Sequence, residues 1–106
     1  MTVYMIIEVE VKDPDLYAEY VDQVPAVIAR YGGRYLVRGG KVTPLSPAWQ
    51  PERLIVIEFD RAEQMRRCFS SAEYAALAPL REGSTVSRAV IVEGLAVPEG
   101  GEALGP

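Results

Sequence analysis

From Val3 to Val11 every odd position is apolar: Val3, Met5, Ile7, Val9 and Val11. Tyr4, Ile6, Glu8 and Glu10 stand between them. A period of two puts the two sets on opposite faces and predicts a strand. After Asp13-Pro14 the period lengthens. Leu16, Tyr17, Tyr20, Val21, Val24, Val27, Ile28 and Tyr31 recur at helical spacing, which predicts an amphipathic helix. Asp13 suits its N-cap, and Pro14 its first turn, where a missing N–H costs nothing. Pro25 is expected to kink the helix by freeing the carbonyl of Val21. Gly32-Gly33 ends it, one glycine taking the left-handed position past the last turn.

Arg34 to Arg38 reads as a second strand, with Tyr35 and Val37 on one face and Arg34, Leu36 and Arg38 on the other. A Gly- and Pro-rich loop follows from Gly39 to Pro51 and carries Trp49. Arg53 to Asp60 predicts a third strand, alternating Ile55, Ile57 and Phe59 with Leu54, Val56 and Glu58. Asp60-Arg61-Ala62-Glu63 resembles a capping box opening a second helix. Ser70-Ser71-Ala72-Glu73 repeats that pattern, so the helix is expected to break and restart there. Tyr74, Leu77, Ala78 and Leu80 then face the core, Gly83 is the expected stop, and Val86 to Glu93 is the fourth strand. Residues 96–106, rich in Gly, Pro and Glu, are expected to form a disordered tail beyond a domain spanning 1–95.

The resulting order, β-α-β-β-α-β, predicts an α+β fold of the ferredoxin-like kind: a four-stranded antiparallel sheet with the helices on one face. The other sheet face would stand bare, yet it is too apolar for water. Pairing two such sheets face to face into a homodimeric α/β barrel would cover it.

Composition narrows the function. The chain has 106 residues, enough for one domain, and a net charge of −4. Arg61 to Arg67 holds three arginines, but Glu63 dilutes them, so no nucleic-acid partner is expected. No apolar run is long enough to span a bilayer, and no signal peptide is apparent, so neither membrane nor export is expected. Cys68, the single cysteine, precludes an intramolecular disulfide and fits a reducing cytoplasm. The absence of histidine removes Ser-His-Asp and Cys-His nucleophiles, histidine metal sites and histidine-ligated haem. Only a carboxylate metal site would remain, and no calcium-loop spacing occurs, so no metal and no cofactor is expected.

Several segments together are similar to one family. They are Tyr20 with Val24-Pro25-Ala26, Tyr31-Gly32-Gly33-Arg34-Tyr35, Trp49-Gln50-Pro51-Glu52-Arg53 and Ile57-Glu58-Phe59. Ser71-Ala72-Glu73-Tyr74, Leu80-Arg81 and Val92-Glu93-Gly94 complete the set. In this order the chain resembles the domain of unknown function DUF1330, of the dimeric α/β-barrel superfamily. The resemblance implies a ferredoxin-like monomer and a homodimer, and brings no general activity. The wider superfamily holds cofactor-free monooxygenases, dehalogenases, isomerases, haem-handling enzymes and ligand sensors, a loose guide to function. The chain departs from the family pattern at Ser46-Pro47, Cys68, Phe69 and Ala72.

Two groups of residues could carry chemistry. Strand alternation assigns Tyr4, Glu8, Glu58 and Arg38 to the bare face, so Glu8, Glu58 and Arg38 are expected to meet inside the dimer barrel. A carboxylate pair there could serve as a general base, or the cluster could be a satisfied ion-pair network. Tyr74 and Arg81, about two helical turns apart, share a face. With Tyr20 they could line a pocket between helices and sheet and hold an acidic or phenolic ligand. The alternatives are a core role for Tyr74 and a helix-capping role for Arg81. Trp49 could cap a pocket mouth or pack across a dimer. Cys68 fits a small core residue better than a nucleophile. Three functional readings stay open. One is a cofactor-independent enzyme performing proton transfer, oxygenation or isomerisation on a small acidic or aromatic metabolite. The others are a non-catalytic ligand-binding dimer and an interaction module.

Overall fold

The computed structural model describes residues 1–95; the expected tail at 96–106 lies outside the described residues. Seven elements succeed one another within them: β1 (Val3–Val11), α1 (Pro14–Arg30), β2 (Arg34–Arg38), β3 (Arg53–Phe59), α2 (Ala62–Phe69), α3 (Ala72–Ser84) and β4 (Thr85–Glu93). The strands make one antiparallel sheet in the order β2-β3-β1-β4, with the helices packed on one face. This is the α+β, ferredoxin-like architecture that the element order implies.

Local signals explain most of the element ends. The Asp13 carboxylate accepts from the Leu16 N–H at 3.1 Å and caps α1. Pro25 does not divide α1, which continues as one helix to Arg30. At its end Gly32 takes φ +85°, and the N–H groups of Gly32 and Gly33 donate to Ala29 and Ile28 carbonyls. A Cβ on Gly33 would lie 2.6 Å from Ile28 and 2.7 Å from Phe59, so β2 can leave the core this closely only through glycine.

The expected cap of α2 is displaced by one residue. Asp60 is held by Arg34 at 2.7 Å, so the cap falls to Arg61, whose backbone N–H donates to Gln64 Oε1 at 3.1 Å. The predicted break after Phe69 is present. Ser71 Oγ accepts from Tyr74 N–H at 3.1 Å and donates to the Cys68 carbonyl at 2.6 Å, closing one helix and opening the next. Gly83 is not the stop: α3 extends to the buried Ser84. The Ser84 carbonyl accepts from Lys12 and Asp13 N–H groups, tying the end of α3 to the corner between β1 and α1.

The core lies between sheet and helices, with Val3, Val9, Ile55, Ile57 and Phe59 meeting Tyr17, Tyr20, Val24, Ile28, Met65 and Leu77. Phe59 and Cys68 are wholly buried. Among the described residues no layer covers the other sheet face, where Ile6, Leu54 and Val56 are partly exposed and Val86 and Val90 remain 60% exposed.

One register change alters the site. Arg34 pairs with Glu58 and Tyr35 with Ile57, but beyond them Val37 pairs with Val56 and Arg38 with Ile55. Leu36 is thus an extra residue, and a bulge of this kind reverses the facing of everything after it. Val37 turns to the bare face and Arg38 to the helix-covered face, the opposite of what simple alternation implies.

Candidate functional site

Between the sheet and helices α1 and α3 lies a cavity of about 310 Å³. The strand register orders its floor. Ile57 and Met5 share one row with Tyr35, Ile55 and Ile7 the next with Arg38, and Arg53, Val9 and Ser87 the last. The helices run over these rows, α1 bringing Tyr17, Tyr20, Val24 and Ile28, and α3 bringing Tyr74 and Arg81. One end of the cavity is therefore apolar, closed by Ile28, Ile57 and Phe69, the other carries Arg53, Arg81 and Ser87, and Arg38 and Arg88 also line it.

Each arginine is positioned by a separate device. The Arg38 guanidinium lies 5.2 Å from the Tyr35 ring centroid and that of Arg53 5.5 Å from Tyr17, both within cation–π range. On its other side Arg53 packs against Gly39, at φ +76°; any Cβ there would overlap the guanidinium. Arg81 Nη1 donates to Ser87 Oγ at 3.1 Å, and Nη2 lies 3.7 Å from the exposed Glu82 carboxylate. The Nε atoms of Arg53 and Arg81 and the hydroxyl of Tyr17 are buried without a hydrogen-bond partner. Leaving such groups unpaired is costly, so they mark places where a polar group from outside the protein would be welcome.

In the middle of the cavity the Tyr20 and Tyr74 hydroxyls lie 3.1 Å apart. Burial pushes the Tyr20 phenol well above its ordinary pKa, with the Tyr74 hydrogen bond adding to the effect. Burial likewise raises Tyr35 to about 12. These phenols stay protonated near neutral pH and can donate. Cys68, buried and pushed up to about 11, is a thiol there and not a nucleophile.

Glu8 and Glu58 are on the bare face and are not together. Glu58 pairs across the sheet with Tyr4, and Glu8, four residues along β1, with Leu54. At ~3.4 Å per residue this sets their backbone positions about 14 Å apart along the strands. Glu58 accepts from Arg34 at 2.7 and 3.0 Å, and this pair, assisted by Tyr4, lowers its pKa. Glu8 accepts from the Trp49 indole N–H at 3.1 Å and from Arg88 at 3.1 Å, and both lower its pKa, Trp49 more strongly. The expected Glu8–Glu58–Arg38 cluster therefore does not form, because the bulge at Leu36 sends Arg38 to the other face and leaves Arg34 as the partner of Glu58. Trp49 belongs with Glu8 on the bare side and not to the cavity. Tyr20, Tyr74, Arg81 and Arg38 do meet in the cavity.

Arg53, Tyr17, Tyr35 and Ser87 escaped notice as site residues. Arg53 left a readable signal: it shares period and face with Ile55, Ile57 and Phe59, a charged position on an otherwise apolar face.

Comparison with known proteins places this geometry. A family model described as Domain of unknown function (DUF1330) matches residues 2–95. The chain belongs to this family. No curated protein matches it. Among solved structures, a protein of unknown function from Rhodopseudomonas palustris is 16% identical with a TM-score of 0.76, over 90% of this DUF1330 chain and 83% of its own. A cofactor-independent oxygenase from Streptomyces nogalater is 12% identical with a TM-score of 0.67, over 92% and 97%. A dimeric protein of unknown function and ferredoxin-like fold from Bacteroides fragilis is 12% identical with a TM-score of 0.60, over 88% and 96%. At such identities the likeness shows a shared fold and nothing of activity. No helix among the described residues of this DUF1330 chain is long and apolar enough to cross a membrane.

Proposed function

We propose that the protein binds a small organic acid with an apolar or aromatic body in the cavity between sheet and helices, and does so as a homodimer. One observation carries the reading: four arginines line the cavity, Arg38, Arg53, Arg81 and Arg88, and none of its lining residues is Asp or Glu. Arg88 is engaged by Glu8 and Arg81 reaches only the exposed Glu82 at 3.7 Å, so Arg53 and Arg81, each with a buried unpaired Nε donor, call for an anion from outside. The apolar end receives the body of the ligand, and the Tyr20 and Tyr74 hydroxyls offer donors to any oxygen along it. In this reading Glu8 and Glu58 are structural ion pairs of the bare face. The homodimer rests on the uncovered apolar face, and the dimeric fold relative is consistent with it.

Turnover has one observation in its favour, the Tyr20–Tyr74 hydroxyl pair facing the cavity. Two neutral phenols can stabilise negative charge developing on a carbonyl or phenolate oxygen, as cofactor-independent oxygenation or isomerisation requires. The experiment is native mass spectrometry of the purified protein, alone and with small aromatic acids. The expected result is a mass of two chains that takes up one acid per chain. A monomer would overturn the dimer, and failure of every acid to bind at millimolar concentration would overturn the pocket.

A further inference from the structure

The arginines of the cavity are not one cluster. Arg53 and Ser87 flank Val9 in the same row of the sheet, on the strands to either side of it. Two interstrand spacings of ~4.8 Å separate their backbones. The Arg53 guanidinium leans away from this row, towards β2, pinned between the Tyr17 ring and Gly39. The Arg81 guanidinium is anchored at the opposite flank by its bond to Ser87 Oγ. The two cations are thus anchored on opposite flanks of the row, at backbone positions about 10 Å apart. A carboxylate, whose oxygens are only ~2.2 Å apart, cannot reach both at the ~2.8 Å of a charge-assisted hydrogen bond while keeping the paired geometry a guanidinium favours. Each station also keeps its own unsatisfied donor, Arg53 Nε at one and Arg81 Nε at the other.

We infer that the cavity is built for a ligand with two acidic groups, one seated at Arg53 and the other at Arg81, its body lying in the cavity between them. The inference rests on the pocket reading above and sharpens it from an acid to a diacid. A monoacid could occupy only one station and would leave the other cation and its buried donor unpaired. Arg38, exposed beside Tyr35, is then a mouth residue that attracts either end during entry. Gly39 is a positioning residue: it supplies no group to the ligand but leaves the space in which Arg53 is held.

The test uses isothermal titration calorimetry on the intact protein with a graded series of diacids. Succinate, terephthalate and 1,4-phenylenediacetate span the required lengths, each paired with its monomethyl ester, which keeps the skeleton and removes one charge. The expected result is that the best diacid binds about tenfold or more tightly than its monoester. Arg53→Gln and Arg81→Gln should each erase that advantage while leaving binding of the monoester within about threefold for at least one of the two. Gly39→Ala should mimic Arg53→Gln, with circular dichroism confirming that the variant is folded. Equal affinity of diacids and monoesters would overturn the two-station inference and leave the single-acid pocket standing. No binding by any member of either series would overturn both.

Discussion

The two faces of this sheet hold their charges in opposite ways. On the bare face the carboxylates of Glu8, Glu58 and Asp60 each meet a cation: Glu58 and Asp60 share Arg34, and Glu8 is held by Arg88 and also by Trp49. Under the helices no carboxylate lines the cavity, and Arg53 and Arg81 each keep a buried Nε donor unpaired. Paired charges on an open apolar surface fix register and orientation at little energetic gain. Unpaired charges in a cavity cost stability unless a ligand satisfies them. On the function proposed above, the bare face would meet another protein surface and the cavity a small anion.

The largest expected effect breaks the bare face. Val56→Asp sets a carboxylate at the centre of the uncovered apolar strip, between Ile6 and Val37. Burying an unpaired charge there is prohibitive, so the proposed dimer should become a monomer by sedimentation velocity while the helical signal is retained. A folded dimer would place the interface elsewhere. The same truncation to alanine should then separate the faces. Phe59→Ala, at a wholly buried position, is expected to cost about 3–5 kcal/mol in urea unfolding, and Val56→Ala less than about 1.5 kcal/mol.

How far the sequence spoke for itself differs between the same two regions. Strands β1 and β3 were legible because strict alternation over seven or more residues leaves a single assignment of faces. Strand β2 has five residues, and its bulge left no mark in the pattern: Arg34, Leu36 and Arg38 alternate with Tyr35 and Val37 as a regular strand would. That single hidden residue moved Arg38 from the bare face into the cavity. The Tyr74–Arg81 face was legible from helical spacing, and Tyr20 from its place on the apolar stripe. The cap at Arg61 was not, because it depends on Asp60 being claimed by Arg34, a contact between strands distant in sequence.

pH should act on the two faces at opposite ends of the scale. Glu58, Glu8 and Asp60 have folded pKa values below their unfolded ones. Their contribution is complete above the unfolded values, 4.5 for glutamate and 3.8 for aspartate, and is lost as pH falls through the lower folded values. Tyr35 is raised from 10.0 to about 12, so its contribution is complete below 10.0 and lost as pH rises through 12. Thermal melts should therefore show acid loss that Arg34→Gln removes in part, and alkaline loss that Tyr35→Phe removes in part. An acid limb untouched by Arg34→Gln would refute the assignment of those carboxylates to the ion pairs.

The smallest expected effect tests the comparison most directly, because it removes one cation from each face. Arg88 is 77% exposed on its side chain and meets Glu8 at the sheet surface, where solvent screens the pair. Arg88→Gln should move the melting temperature of the protein by no more than about 2 °C, because Trp49 still donates to Glu8. Arg53→Gln removes a buried donor that has no partner, so the empty protein should be unchanged or slightly more stable. The two variants part company only when acid is added. Wild type and Arg88→Gln should gain melting temperature together, since a ligand that binds only the folded state stabilises it, and Arg53→Gln should gain less. If Arg88→Gln lost the ligand-dependent gain as well, Arg88, which borders the cavity besides meeting Glu8, would be an anion contact, and the division of labour between the two sides of the sheet would have to be redrawn.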